Sequence, residues 1–292
     1  MVVLENEFLE AHLDPKGAEI AKLIGKQDGI NYMWRQDPIL WGHSAPVLFP
    51  IVGALKNGET IIEGKTYKMG QHGFSRNTEY TIEEQDQTHV VFHLFDTKET
   101  KTMYPYGFDV YVTYRLEGQQ LKAEFKVVND KEDYIRFQIG GHPAFACPFM
   151  EGEDANDYYV EFEKKENVAR KVINPARGGM SHMDLPFFEN ERRFFVRQAL
   201  FDSDAIVLPH IKSESITLKA LNHDKSLTMH MHNFDYVGIW ASKHTGGLLA
   251  IEPWVGITDY VDASGHFEDR EDLQTLRKGE TFVCDFAVEI KQ

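Results

Sequence analysis

Three residues able to transfer protons, one carboxylate and two imidazoles, lie in apolar or glycine-marked segments of this sequence. Glu252 is the only charged residue among the twelve at positions 246–257. Apolar surroundings disfavour a charged carboxylate, so Glu252 is a candidate proton acceptor with a raised affinity for protons. His142 lies in the segment Gly-Gly-His-Pro-Ala-Phe, and His72 lies in Gln-His-Gly-Phe-Ser-Arg. This set of residues indicates general acid–base chemistry.

Each of these residues also has a structural interpretation. His142 could cap a neighbouring carbonyl group in a loop, and His72 could belong to an ordinary His-Gly turn. Glu252 could pair with a lysine or arginine, or lie at a strand end facing water. Arg76, four residues after His72, could anchor a hydroxyl or a phosphate, or pair with a surface acid.

Metal and cofactor motifs are scarce in the chain. His230 and His232 project from one face of a predicted strand, as the first two ligands of a metal site can. No further cluster has ligand spacing, so we predict solvent-facing histidines and no metal site. No P-loop, no GxSxG elbow and no GxGxxG after a strand is present, so we expect no cofactor.

The four tryptophans are predicted to serve mostly as core. One of them is a candidate for the floor of a sugar site, because an indole covers the apolar face of a pyranose ring. They are Trp34, Trp41, Trp240 and Trp254.

Composition excludes several classes of partner. The net charge of −15 over 292 residues disfavours nucleic acid, which attracts basic surfaces. The longest apolar stretch, residues 45–55, contains two prolines and is shorter than the roughly twenty residues that a membrane span needs. Residues 1–7 lack a secretory signal pattern. Cys147 and Cys284 could form one disulfide, but two thiols in a long chain fit a reducing cytoplasm better, so we expect a cytoplasmic protein.

Alternation of apolar and polar residues predicts β-strands along most of the chain. Residues 110–117 and 121–127 predict a hairpin with one wet face, and residues 282–290 predict a last strand. Further predicted strands are 88–95, 158–163, 215–221, 227–234 and 237–241. No linker or fixed repeat divides the chain. The prediction is one all-β domain over residues 1–292, a large antiparallel β-sandwich.

Two segments lack strand patterning. Residues 164–199, including Asn174–Gly179 and Leu185–Phe188, predict an elaborated loop that could cover one end of a site. The charged residues 268–272 predict a solvated turn or a short helix.

The three segments that contain His72, His142 and Glu252 together resemble the aldose 1-epimerase, or galactose mutarotase-like, family. The resemblance extends over nearly the whole chain and includes Ala18–Ile20, Trp34 and Ala45–Gly53. It is greatest to the bacterial subgroup associated with lactose and galactose utilisation genes. The His-Gly-Phe-Ser-Arg segment is also similar to the pattern of hexose-6-phosphate mutarotases.

This resemblance implies a fold and a set of roles. The fold would be the supersandwich of galactose mutarotases, and the activity would be the cofactor-independent interconversion of α and β anomers. Glu252 would be the general base on the anomeric hydroxyl, and His142 would be the acid that protonates the ring oxygen. His72 would bind the sugar near that oxygen. A ring hydroxyl would be bound by Asp204, with Asp202 as the neighbouring alternative.

The sequence departs from the family at one position that affects the substrate. Typical members carry an arginine in the segment that corresponds to residues 50–55, and none is present here. Lys56 and Arg76 are the candidate substitutes. The expected partner is therefore a small sugar, either a free hexose or a hexose phosphate, and a non-catalytic sugar-binding protein on the same fold is the third alternative. The oligomeric state is not predicted.

Overall fold

The fold consists almost entirely of β-strands. The computed structural model describes residues 1–174, 179–241 and 247–292. Within these ranges the only helices are six short 3-10 turns, which confirms the all-β prediction. No helix in the described ranges is long and apolar enough to cross a bilayer.

The described strands, in chain order, are β1 (Val2–Glu5), β2 (Leu9–Asp14), β3 (Glu19–Gly25), β4 (Val47–Leu48), β5 (Glu59–Ile62), β6 (Lys65–Lys68), β7 (Thr81–Gln85), β8 (His89–Phe95), β9 (Asp109–Glu117), β10 (Gln120–Asn129), β11 (Tyr134–Phe137), β12 (Ile139–Gly141), β13 (Ala144–Cys147), β14 (Tyr158–Ile173), β15 (Met180–Phe195), β16 (Ile206–Pro209), β17 (Ser215–Ala220), β18 (Ser226–His232), β19 (Tyr236–Trp240), β20 (Gly247–Val255), β21 (Gln274–Arg277) and β22 (Glu280–Lys291). The 3-10 turns are Lys56–Gly58, Ser75–Asn77, Thr100–Thr102, Ala155–Asp157, Gln198–Phe201 and Phe267–Asp269.

One large antiparallel sheet contains most of these strands. Its order is β4-β12-β20-β19-β16-β14-β17-β18-β22-β10-β9-β8-β7, with β13 also paired to β20 and β15 paired to β14. Smaller sheets are formed by β1-β2-β3, β5-β6 and β11-β21. All eight strand segments predicted from sequence lie on strands of the large sheet, with ends that differ by a few residues.

The predicted hairpin shows why these sequences form strands. Along β10, buried and more exposed residues alternate throughout, as expected for a strand with one face against the core. Leu121 lies opposite Leu116 on β9, and Val127 lies opposite Val110. The other edge of β10 pairs with β22, so the hairpin is joined to the last strand of the chain.

One buried cluster of apolar side chains extends from Val2 near the start of the chain to Ile290 near its end. Its centre is aromatic: the ring of Phe49 lies within about 6 Å of the rings of Phe74, Tyr104, Phe108 and Phe137. Such continuity is what a single domain over residues 1–292 requires. The thiols of Cys147 and Cys284 are buried and free.

The prediction of a loop over residues 164–199 is wrong for most of that segment. Its described residues lie largely on β14 and β15, which pair along much of their length, and residues 175–178 fall outside the described ranges. The pairing is interrupted by several register shifts. These shifts, with the many charged residues on an exposed edge strand, conceal the two-residue period that identifies a strand.

The charged segment 268–272 is a short helix only in part, and it is not uniformly solvated. Residues Phe267–Asp269 form a 3-10 turn, but the side chain of Arg270 is almost completely buried. Its guanidinium pairs with Asp259 and donates hydrogen bonds to the carbonyl oxygens of Val52 and Ile257. A buried pair of this kind cannot be recognised from the charged run alone, because Asp259 lies outside that run, eleven residues earlier in the chain.

Candidate active site

The structure brings Glu252, His142 and His72 together. Nε2 of His142 lies 3.1 Å from Oε2 of Glu252. The ring centroids of His142 and His72 are 5.5 Å apart, with the rings nearly perpendicular. All three residues are buried, so the set predicted from sequence occupies one enclosed site.

Sheet register places His142 opposite Glu252. Strands β12 and β13, separated by His142 and Pro143, both pair with β20: Gly140 lies opposite Trp254, and Ala144 lies opposite Ala250. Because β12 and β13 pair with the same strand, the residues between them keep the spacing of β20. His142 is midway between Gly140 and Ala144, so it lies level with Glu252, which is midway between Trp254 and Ala250. The glycine is required, since a Cβ at position 140 would lie 2.8 Å from the carbonyl oxygen of Pro253.

A tight turn after β6 holds His72. Its backbone has a positive φ of 66°, and the adjacent Gly73 has a φ of 73°. Gly73 lies so close to Phe49 that a Cβ would be 2.2 Å from the Phe49 carbonyl oxygen. The Gly53 amide donates to Nδ1 of His72 over 3.0 Å. Nδ1 is therefore an acceptor, and in the neutral ring Nε2 carries the proton.

These side chains line a cavity of about 660 Å³, which is large enough for a monosaccharide. Arg76, Asp202 and Asp204 line it as well, so every site residue predicted from sequence faces this one space. The complete lining consists of Trp41, Gly53, Ala54, Gln71, His72, Arg76, His142, Ile173, Met180, Phe201, Asp202, Asp204, Ala205, Trp240, Glu252, Trp254 and Thr258.

Burial shifts the site's ionisable groups toward their neutral forms. Desolvation raises the pKa of Glu252 well above its usual value, and the charge of Asp204 adds to this shift while that of Arg76 opposes it. Desolvation also lowers the pKa of His142 well below 6.5, assisted by the nearby His72 and Arg76. For His72, desolvation and the charges of Arg76 and His43 lower the pKa to about 3.

Buried polar atoms without well-aligned hydrogen-bond partners are concentrated at this cavity. Among the described residues four side-chain atoms lack a well-aligned hydrogen-bond partner, and three of them line the cavity: Nδ1 of His142, Oε2 of Glu252 and Nε1 of Trp254. The carboxyl group of Glu252 and the indole of Trp254 do interact with each other. Oε2 is close to the imidazole of His142, but the geometry does not form a hydrogen bond. Since buried polar groups are nearly always satisfied, these atoms indicate where a polar ligand binds.

Among the described residues, Arg76 is the only lysine or arginine in the cavity lining. Within residues 1–174, 179–241 and 247–292 its guanidinium makes no ion pair or hydrogen bond, although the charges of Glu19 and Glu252 act on it. The arginine is therefore available to an incoming oxygen. Asp204 and Asp202 both line the cavity, and Oδ1 of Asp204 accepts a hydrogen bond from the amide of Ala205. The choice between these two aspartates stays open.

Lys56, one of the two candidate substitutes for the family arginine, lies outside the lining of this cavity. Its Nζ donates to the carbonyl oxygen of Ala263 over 2.7 Å, and the residue lines a separate cavity of about 220 Å³. The arginine that contacts the segment 50–55 is Arg270, whose guanidinium donates a hydrogen bond to the carbonyl oxygen of Val52. Sequence reasoning missed this arginine, because position 270 lies in a charged run that is typical of surface turns.

Three of the four tryptophans line the cavity, which is more than the sequence predicted. Trp41, Trp240 and Trp254 face it, whereas Trp34 is buried in a small adjoining cluster with Ala144 and Leu248. No local pattern in the sequence distinguishes Trp41 from a core residue. Its role depends on a segment without regular structure that passes over His142.

His230 and His232 each pair with an acidic residue on the neighbouring strand β22. Nε2 of His230 lies 2.9 Å from Glu289, and Nδ1 of His232 lies 3.1 Å from Asp285. In the portion of the chain that is described, no group of three histidine, cysteine or acidic residues could hold a metal ion.

Comparison with known proteins identifies relatives over almost the whole chain. The model of the aldose 1-epimerase family matches residues 1–287. The chromosomal protein LacX of Lactococcus lactis subsp. lactis is 33% identical over 276 residues, which are 92% of each chain. Among solved structures, a galactose mutarotase related enzyme from Lactobacillus acidophilus has a TM-score of 0.93 at 30% identity, covering 100% of this chain and 97% of its own. A galactose mutarotase-like protein from Lactobacillus casei also has a TM-score of 0.93, at 27% identity, with both chains completely covered. These likenesses confirm the galactose mutarotase-like β-sandwich.

Proposed function

We propose that this chain, which belongs to the aldose 1-epimerase family, interconverts the α and β anomers of an unphosphorylated hexose. The observation that carries this proposal is the buried contact between Glu252 and His142, 3.1 Å apart in a cavity where polar atoms lack well-aligned partners. A cyclic hemiacetal supplies what these atoms need, because its O1 hydroxyl can donate a proton and its ring oxygen O5 can accept one.

The proposed reaction moves one proton off the sugar and one proton onto it. Glu252 takes the proton from O1 while His142 gives a proton to O5, the C1–O5 bond breaks, and the C1–O1 bond becomes a carbonyl. Rotation about C1–C2 then presents the other carbonyl face to the O5 hydroxyl. Ring closure reverses both transfers. Each positioned acid or base contributes about 10²- to 10⁴-fold to the rate.

Glu252 and His142 together hold a single proton in this scheme. In the empty cavity their pKa shifts favour the neutral arrangement, with the proton on Glu252. Transfer of that proton to His142 produces the carboxylate and imidazolium that begin the reaction. Sugar hydroxyls that hydrogen-bond to Oε2 of Glu252 stabilise the carboxylate, so binding and activation are coupled.

The charges around the cavity favour a neutral sugar over a hexose 6-phosphate. One arginine, Arg76, lies among the carboxyl groups of Glu252, Asp202 and Asp204. A phosphate dianion needs an excess of positive charge or several aligned donors, and this lining has neither among the described residues. Arg76 is better suited to bind sugar hydroxyls. Galactose is the first sugar to test, since galactose mutarotase is named in the related structures from Lactobacillus.

The test is polarimetry of freshly dissolved α-anomers with catalytic amounts of protein. We expect faster mutarotation of galactose or another free hexose, with little acceleration for the corresponding 6-phosphates. If no aldose and no phosphate equilibrates faster than in buffer, the proposed activity is wrong. Faster equilibration of the phosphates would instead reassign the substrate.

Glu252→Gln is the matched variant, because it keeps the shape of the side chain and removes the base. We expect a loss of roughly 10²-fold or more in kcat, with circular dichroism unchanged. Calorimetric titration should still detect sugar binding to this variant. Saturable binding to both proteins with no acceleration by either would indicate a sugar-binding protein without catalysis.

A further inference from the structure

The imidazole of His142 is held mainly by aromatic rings. The Trp41 ring lies over it with centroids 4.7 Å apart and planes inclined by 31°. The edge-on ring of Trp240 is 5.9 Å away and that of His72 is 5.5 Å away. Nδ1, the nitrogen through which site histidines are usually oriented, has no hydrogen bond to another described residue. Of the three rings around the imidazole, that of Trp41 is the closest, so it limits the tilt of the ring plane.

The segment that carries Trp41 is fixed by hydrogen bonds. Nε1 of Trp34 donates to the carbonyl oxygen of Trp41 over 2.9 Å. A few residues further on, the amides of Ser44 and Ala45 donate to the buried carboxylate of Glu19 over 2.6 and 3.0 Å. This segment lacks regular structure, but it is anchored at Trp41 itself and again three and four residues further along the chain. Its indole can thus act as a rigid wall.

We propose that Trp41 is a positioning residue for His142, which fixes the imidazole plane by stacking and keeps water from it. This inference rests on the proposed mutarotase function, in which His142 must exchange a proton with Glu252 and with the ring oxygen of the sugar. Both transfers require the nitrogen to stay in line with its partners. A misplacement of about 1 Å can lower a rate by about 100-fold.

The first test compares kinetics of Trp41→Ala and Trp41→Phe, with Ile39→Ala as the control in the same segment. Ile39 is 90% exposed and lies outside the cavity lining. We expect Trp41→Ala to lower kcat by about 10- to 100-fold with KM changed by less than about 3-fold. Trp41→Phe should recover most of the loss because it restores a stacking ring, and Ile39→Ala should behave as wild type.

The pH profile gives a readout that a general loss of stability would not change. The groups that face His142 are Glu252, His72, Arg76 and His43, and none of them is altered in Trp41→Ala. Removing the indole admits water to the imidazole, so its pKa should rise toward 6.5. We expect the acid limb of kcat to move to higher pH in Trp41→Ala and to stay in place in Ile39→Ala.

Two kinetic outcomes would overturn the inference. A large rise in KM with kcat unchanged would make Trp41 a sugar-binding surface only. Equal losses in Trp41→Phe and Trp41→Ala, with no movement of the acid limb, would remove any role for stacking.

A spectroscopic arm separates failure of this inference from failure of the proposed function. Histidine side chains labelled with ¹⁵N can be titrated by NMR without substrate, and His142 is assigned by the signal missing in His142→Gln. We expect the His142 titration to move toward 6.5 in Trp41→Ala even if no mutarotase activity is found. Identical His142 shifts and titrations in wild type and Trp41→Ala would disprove the positioning role, whatever the activity.

Discussion

Glu252 and His142 are in contact, yet each lies where its charged form is disfavoured. Burial raises the pKa of Glu252 and lowers that of His142, so the empty site keeps its proton on the carboxyl group. In the proposed mechanism, hydrogen bonds from the sugar then stabilise the carboxylate when the proton moves to His142. His72 differs, because its Nδ1 accepts the Gly53 amide, and its ring is suited to remain a neutral donor throughout.

The buried His72 should make the folded protein sensitive to acid. Its folded pKa of about 3 is below the ordinary 6.5, so the unfolded chain takes up this proton first as the pH falls. The stability that depends on neutral His72 is complete above pH 6.5 and is lost as the pH falls toward 3, by up to about 1.4 kcal/mol per pH unit. Asn at this position tolerates the positive φ and can accept the Gly53 amide. We therefore expect His72→Asn to weaken the decline in the free energy of unfolding between pH 6.5 and 4.

Urea denaturation at several pH values measures this effect. The control is His232→Asn, which removes a histidine whose side chain is 78% exposed. A slope against pH that is the same in His72→Asn and wild type would show that His72 is not held neutral by the fold.

At the scale of elements, strand β20 organises the site. It carries Glu252 and Trp254 on one face, and its pairing with β12 and β13 sets the level of His142. The buried pair of Arg270 with Asp259 supports the other side, because it holds Val52 next to the Gly53 amide that binds His72. The geometry of the site therefore depends on contacts between segments that are distant in sequence.

The turn that carries His72 can be tested with two glycines of nearly equal φ. Gly73 has a φ of 73° and Gly64, in the turn between β5 and β6, has a φ of 76°. Alanine costs about 1–2 kcal/mol at either position from its backbone conformation. At Gly73 the new Cβ would also meet the Phe49 carbonyl oxygen at 2.2 Å, whereas at Gly64 nothing lies within 4 Å. We expect Gly73→Ala to lose clearly more stability than Gly64→Ala, as measured by chemical denaturation, and to lose activity as well. Equal losses would contradict the close approach of this turn to Phe49.

At the scale of the whole molecule, the first and last strands share one buried cluster, which includes Val2 and Ile290. The last strand, β22, pairs with β10 and β18 inside the large sheet. The chain thus closes its core only when both ends are in place. We propose that residues 1–292 fold as a single domain.

This proposal predicts one cooperative unfolding transition. Far-UV circular dichroism reports on strands throughout the molecule, whereas the fluorescence of the four tryptophans reports on the cavity and its surroundings. If the site and the distant strands unfold together, the two probes give the same midpoint in denaturant. Separate midpoints would indicate an independently unfolding unit and contradict the single domain.

Local sequence patterns predict the strand-rich class and a set of candidate site residues. Alternation along residues 110–127 and 282–290 is a local property of the chain, so it predicts strands without knowledge of their partners. The features that made Glu252 and His142 candidates are also local. They are the glycine, proline and apolar residues that directly precede and follow each of them in the sequence. The family resemblance added Asp204 and the order of the motifs. The placement of all these residues around one cavity agrees with those expectations.

Tertiary structure alone decided the remaining features. The part of β14 after residue 163 and the whole of β15 were not evident, because bulged and exposed strands lack a steady alternation. The burial of Arg270 depends on Asp259 and Val52, and the stacking of Trp41 on His142 depends on anchoring by Trp34 and Glu19. Such contacts join residues that are distant in the sequence. They are stabilised because both partners are buried together, and that burial depends on how several segments pack against each other.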